Sequence, residues 1–144
     1  MKRFILVICI ITPAFFSGSC KKSGHASSVI QGDWELRETQ ASIVPATTFA
    51  AGNGNRLVFT ATTYQSYASG LLKKSGEYVL VSDTTPECYA VGQQAPLTRI
   101  VYDNDYSGNA VYIKLSGNKL SFLSGCFAVD GGSMQTYEKL ATQE

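Results

Sequence analysis

From residue 32 onward apolar and polar residues alternate in short runs, the period of two expected of strands with one buried face. Trp34 and Leu36 alternate with Glu35 and Arg37 and predict a strand over 32–43. The stretch 44–54 carries Pro45, Gly52 and Gly54 and reads as the longest irregular connection. A strand over 56–61 follows, with Leu57 and Phe59 on one face, then a Thr-, Tyr- and Ser-rich strand over 63–69 and a turn over 70–75. Gly76-Glu77-Tyr78-Val79-Leu80-Val81 is a β-branched strand, with 88–91 as its continuation after a bend. Strands over 97–102 and 110–115 flank a turn rich in Asp and Asn, and Gly117-Asn118 joins 110–115 to 119–123 as a two-residue hairpin. A short segment over 126–129, the Asp130-Gly131-Gly132 turn and a strand over 134–140 end the pattern. Roughly eight short strands turning about every ten residues predict an all-β antiparallel barrel or sandwich.

The first 31 residues do not share this pattern. Met1-Lys2-Arg3 is basic, and an apolar run of about 13 residues follows over 4–16, short of the ~20 needed to span a bilayer. Ser17-Gly18-Ser19 then supplies small residues before Cys20, so 1–19 reads as a secretory signal peptide. Gly18-Ser19-Cys20 resembles the lipobox of bacterial lipoproteins, with Ser17 where that pattern usually has leucine. The resemblance implies cleavage before Cys20 and acylation of its thiol. Ordinary signal-peptidase cleavage, leaving a soluble secreted protein, is the other reading. Residues 20–31 then form a lipidated cysteine and flexible tether containing His25, the one histidine of the chain, and 32–144 form a single domain.

Loss of 1–19 removes two bases and no acid, leaving ten bases against 11 acids. That balance disfavours nucleic acid, which needs a concentrated basic face. Cys9 leaves with the signal, so Cys88 and Cys126 remain in the domain. In an exported compartment a disulfide between them is expected, closing a loop of roughly 39 residues worth about 4 kcal/mol in the chain-entropy model. Two unpaired buried thiols are the alternative.

Gly32-Asp33-Trp34 opening the first strand resembles the Gly-x-Trp start of the lipocalins, and more closely the lipocalin-like domains of bacterial lipoproteins. Leu57-Val58-Phe59, Gly76-Glu77-Tyr78 and Tyr137-Glu138-Lys139 extend the resemblance over 32–140. It implies an up-and-down eight-stranded barrel closed at one end by Trp34, with Lys139 packed across the indole. It also implies a mouth covered by 44–54 with Phe49 as its lid, and a cavity lined by Tyr64, Tyr78, Tyr112 and Phe122. Ordinary core filling by these aromatics is the competing reading.

No histidine occurs from residue 32 on, which removes Ser/His/Asp and Cys/His nucleophile schemes and the common zinc spacings. No catalytic residue, metal or cofactor is expected. Asp103-Asn104-Asp105-Tyr106-Ser107-Gly108 matches half a calcium loop, but Lys114 stands where the bidentate glutamate belongs, so an Asx-rich turn accounts for it better. The expectation is a non-catalytic, monomeric binding protein of the bacterial cell envelope, tethered by lipid to the periplasmic face of the outer membrane and taking a small apolar ligand. The alternative is a filled barrel acting through its loops on a protein or glycan. Ser75-Gly76-Glu77-Tyr78, one residue short of the Ser-Gly-x-x-Tyr loop of lysozyme-inhibitor lipoproteins, motivates that alternative.

Overall fold

The computed structural model describes residues 27–84, 96–126 and 131–141. A short 3-10 helix, Ser27–Ile30, leads into nine strands among these residues. They are β1 Gly32–Ala41, β2 Val44–Thr48, β3 Arg56–Phe59, β4 Thr63–Ala68, β5 Leu71–Asp83, β6 Leu97–Tyr102, β7 Val111–Ser116, β8 Lys119–Ser124 and β9 Ser133–Lys139. Each pairs antiparallel with its neighbour, and β1 also pairs with β9. β1 and β3 to β9 therefore close an eight-stranded up-and-down barrel, lipocalin-like in topology, and closure removes the open edges of those strands.

β2 is the extra strand. The first half of β1 pairs with β3 through Glu35↔Arg56, and the second half pairs with β2 through Glu38↔Thr48. Phe49 N–H donates to the Arg37 carbonyl at 2.8 Å and Leu36 N–H to the Asn55 carbonyl at 2.9 Å, so β2 and β3 form one line along β1. The excursion over 50–55 interrupts that line. Gly54 is required there: its φ is +72°, and a Cβ would come 2.6 Å from the Gly70 nitrogen.

Two expectations from the sequence are corrected. Residues 44–54 are not irregular throughout, because 44–48 is β2. Pro45 is tolerated there because β2 is an edge strand, exposed at all five residues and irregular in register. The turn expected over 70–75 shrinks to Ser69-Gly70, and β5 runs for 13 residues. Its first half pairs with β4 and its second with β6, so Lys74 and Ser75 stay on the ladder at an exposed rim, with Lys73 at a register shift between Lys74 and Leu72. Ser75-Gly76-Glu77-Tyr78 is thus mid-strand rather than a loop. The Asp103 carboxylate fills the space a Cβ at Gly76 would need, accepting hydrogen bonds from Glu77 N–H and the Tyr64 hydroxyl at 3.0 Å each.

Because side chains alternate across a strand, paired positions sort into an inward and an outward set. Trp34, Leu36, Leu57, Phe59, Tyr64, Tyr78, Ile100, Leu120, Phe122 and Tyr137 point inward with Ile30 as the main core. At the Gly32 end, Trp34 is 1% exposed and donates its indole N–H to the Ile30 carbonyl at 2.8 Å. The Ser27–Ile30 helix thus caps the barrel beside the indole.

Candidate functional site

The barrel interior has a packed aromatic floor and, around it, inward side chains that stay partly accessible. In the floor, Phe59 meets Tyr78 edge-on at 5.0 Å between ring centres and stacks on Phe122 at 6.3 Å, while Phe122 meets Tyr137 edge-on at 5.5 Å. Such contacts add to the burial of large apolar surfaces. Tyr64, Tyr78 and Phe122, expected to line a cavity, are buried members of this cluster.

Around them the inward side chains Leu80, Tyr102, Val111 and Ile113, together with Phe49, pack on the core yet remain partly accessible. A side chain that points into a closed barrel and still reaches solvent borders a space. Gln135 and Ser133 are exposed although their register with Phe122 and Ser124 puts them on the inward face, which places that space toward the end away from Trp34. Phe49 continues the line of β2 and packs against the core, as part of the wall rather than of a free loop.

Three of the four inward tyrosine hydroxyls are engaged. Tyr64 donates to Asp103, Tyr78 to the Thr60 carbonyl at 2.8 Å, and Tyr137 to Gln135 at 3.2 Å. Tyr102 packs edge-on against Tyr64 at 4.6 Å, and its hydroxyl has no hydrogen-bond partner among the described residues. Burial pushes the Tyr137 phenol up to about 12 and raises Tyr102 as well, with Tyr137, Tyr64 and Tyr78 adding to the latter. An unfolded phenol ionises near 10.0, so the stability carried by the neutral rings is complete below that pH and is lost as pH rises toward about 12. In an alkaline titration a delayed phenolate absorbance step is expected to coincide with loss of near-UV circular dichroism. A single step near pH 10 with the fold intact would contradict this burial.

The outward face of β5 to β7 carries a separate hollow of about 780 Å³. Val81, Arg99 and Tyr112 pair across it, one position out of phase with the inward Leu80, Ile100 and Val111. Tyr112 therefore lies outside the barrel, donating to Asp83 at 2.8 Å. Arg99 Nη2 donates to the Tyr106 and Gly108 carbonyls at 3.1 and 3.3 Å, folding the β6–β7 loop over this face. Arg99 Nε is buried without a partner among the described residues.

The Lys139 ammonium lies 5.3 Å from the centre of the Trp34 ring, at the closed end. Asp105 Oδ1 accepts from Ser107 N–H, Ser107 Oγ and Gly108 N–H, an Asx turn. Among the described residues no group of three or more His, Cys, Asp or Glu converges as a metal site. Cys126 follows β8, half-buried, while Cys20, His25 and Cys88 fall outside the described residues.

Sequence reasoning missed Tyr102 and a buried ionic cluster. Glu35, only 3% exposed, accepts from Arg37 at 2.6 Å, from Gly52 N–H at 3.0 Å and from Gly54 N–H at 3.2 Å. Alternation alone puts Glu35 on the solvent side of β1, and the 50–55 excursion is what covers it. Tyr102 was within reach of the same rule, since it shares the parity of Ile100. No family model matches the chain, and no curated protein and no solved structure is significantly similar to it.

Proposed function

We propose that this protein is a lipid-anchored, non-catalytic binding protein of the bacterial cell envelope, related to the lipocalin-like lipoproteins, that takes a small apolar ligand into its barrel from the end opposite Trp34. The observation that carries the reading is the set of inward apolar side chains left partly accessible around an aromatic floor. Ordinary clefts that bind small molecules combine such an apolar lining with a few polar groups. Gly18-Ser19-Cys20 supports acylation at Cys20, and Cys20-Lys21-Lys22, with no acidic run of the kind that resembles a surface-export signal, favours the periplasmic face of the outer membrane. A Cys88 to Cys126 disulfide belongs to the same reading. The transfer of function from barrel topology is by analogy, so the test is direct. The mature protein is titrated with an environment-sensitive apolar dye, and saturable one-to-one binding is expected, displaced by a competing apolar molecule. A dye signal that is absent, or that does not saturate, would sink the carrier reading.

The outward hollow supports a second reading, in which a filled barrel acts on a protein or glycan. Its lining of Asp83, Arg99, Tyr106, Ser107 and Tyr112 is mostly polar, with two aromatic rings, a surface suited to hydroxyl-rich partners. Absence of dye binding together with capture of the protein on a glycan array would favour this reading.

A further inference from the structure

We propose that the Tyr102 hydroxyl is the polar anchor of the barrel site and that the ligand is a neutral amphiphile, an alcohol, ester or amide on an apolar chain, rather than a fatty-acid anion. This rests on the carrier reading above. Tyr102 points inward, in register with the buried Tyr78 and one inward position along from the partly accessible Leu80 and Val111, which flank Ile100. Its hydroxyl is the one inward tyrosine hydroxyl with no partner among the described residues, the other three being held by Asp103, the Thr60 carbonyl and Gln135. A phenol can donate to a carbonyl or hydroxyl oxygen and accept from a hydroxyl, so it offers a neutral ligand group the bond it loses on leaving water.

The charges nearby point the same way. Asp103 stands at this rim with its carboxylate committed to Tyr64 and to the Glu77 N–H, and Lys74 lies 3.9 Å from that carboxylate. Lys139 is at the other end, over Trp34. A ligand carboxylate beside Tyr102 would be stripped of water next to the like charge of Asp103, and drawing Lys74 to it would take the counter-ion from that carboxylate, which is costly. Burial keeps Tyr102 itself neutral at ordinary pH, so it remains a donor.

The test uses the mature protein loaded with a neutral phenylnaphthylamine dye, displaced in turn by decanol and by decanoate at neutral pH. Decanol is expected to displace the dye at roughly tenfold lower concentration, the cost of desolvating an uncompensated anion. Tyr102→Phe removes one unpartnered oxygen, and it is expected to weaken decanol roughly fivefold relative to the dye affinity of the same variant, with the thermal midpoint unchanged. Unaltered decanol affinity in Tyr102→Phe overturns the anchor, and equal or tighter decanoate binding overturns the neutral class. Either result leaves the carrier reading standing if the dye binds. Failure of the dye to bind the wild type overturns both together. If Tyr102→Phe does not fold, it contradicts a hydroxyl free of structural duty, and the wild-type decanol preference still decides the ligand class.

Discussion

Trp34→Ala is expected to destabilise the protein by about 4 kcal/mol, the range for deleting a large buried aromatic side chain and leaving a cavity. Three losses combine. The indole is 1% exposed and fills the closed end against Ile30, which is itself completely buried. Its N–H satisfies the Ile30 carbonyl, which would otherwise be buried without that donor at the point where the Ser27–Ile30 helix meets the barrel. The ring face also carries the Lys139 ammonium. A domain of this size has a total stability of about 5–15 kcal/mol, so the loss removes a large share of it. Urea unfolding followed by far-UV circular dichroism measures the effect. Trp34→Phe, which keeps an aromatic ring but loses the donor, should cost about half as much. Lys139→Ala should cost less than about 1 kcal/mol, because Lys139 is exposed. A Trp34→Ala midpoint within error of the wild type would show that the Gly32 end is not held by this ring.

The barrel was legible where local chemistry and register agree. Gly117-Asn118 reads as a two-residue hairpin, and the structure pairs Ser116 with Lys119 across it. Trp34, Leu57 and Phe59 read as inward from alternation, and they pack together in one core. The reading failed where pairing extends through residues of low strand preference. Lys73, Lys74 and Ser75 look like a turn because they are polar and follow Gly70, yet pairing of β5 with β4 on either side of a bulge at Lys73 holds the strand extended through them. Pro45 looks like a strand breaker, yet an edge strand does not need every N–H. Tyr112 shows the limit of alternation used without register. It differs in parity from Val111 and Ile113, and only their pairing with Ile100 and Thr98 tells which set faces inward. Tyr102 is readable as inward from its parity with Ile100, but its role and the burial of Glu35 depend on a further level: how much space remains in the barrel, and which loop folds over its outside. Neither is encoded in a periodicity.

Glu35→Gln is expected to cost about 3 kcal/mol, because it breaks a buried ion pair on one side while leaving the other charge in place. The carboxylate is the post around which 50–55 folds. Gly52 and Gly54 aim their N–H groups at its two oxygens, and Arg37 pairs with it at 2.6 Å while reaching Glu138 at 3.1 Å. Asn53 ties the same loop to β1 through the Leu36 carbonyl at 2.9 Å. Burial by itself would raise the Glu35 carboxyl, but the Gly52 N–H, the Arg37 guanidinium and the Gly54 N–H together hold it below its ordinary value of 4.5. The unfolded chain therefore takes up a proton near pH 4.5 while the native carboxylate is still ionised. The stability this group contributes is present above that pH and is lost as the pH falls through the lower native value. Wild-type stability measured by urea unfolding should therefore fall on acidification, and Glu35→Gln should start lower at neutral pH and fall less steeply. The loss should also appear locally as faster amide hydrogen exchange at Gly52 and Gly54, while the Trp34 end keeps its protection. A Glu35→Gln protein with wild-type stability and an unchanged acid slope would mean that backbone turn geometry alone holds the excursion. Retention of the acid slope with lower stability would assign that slope to another carboxylate.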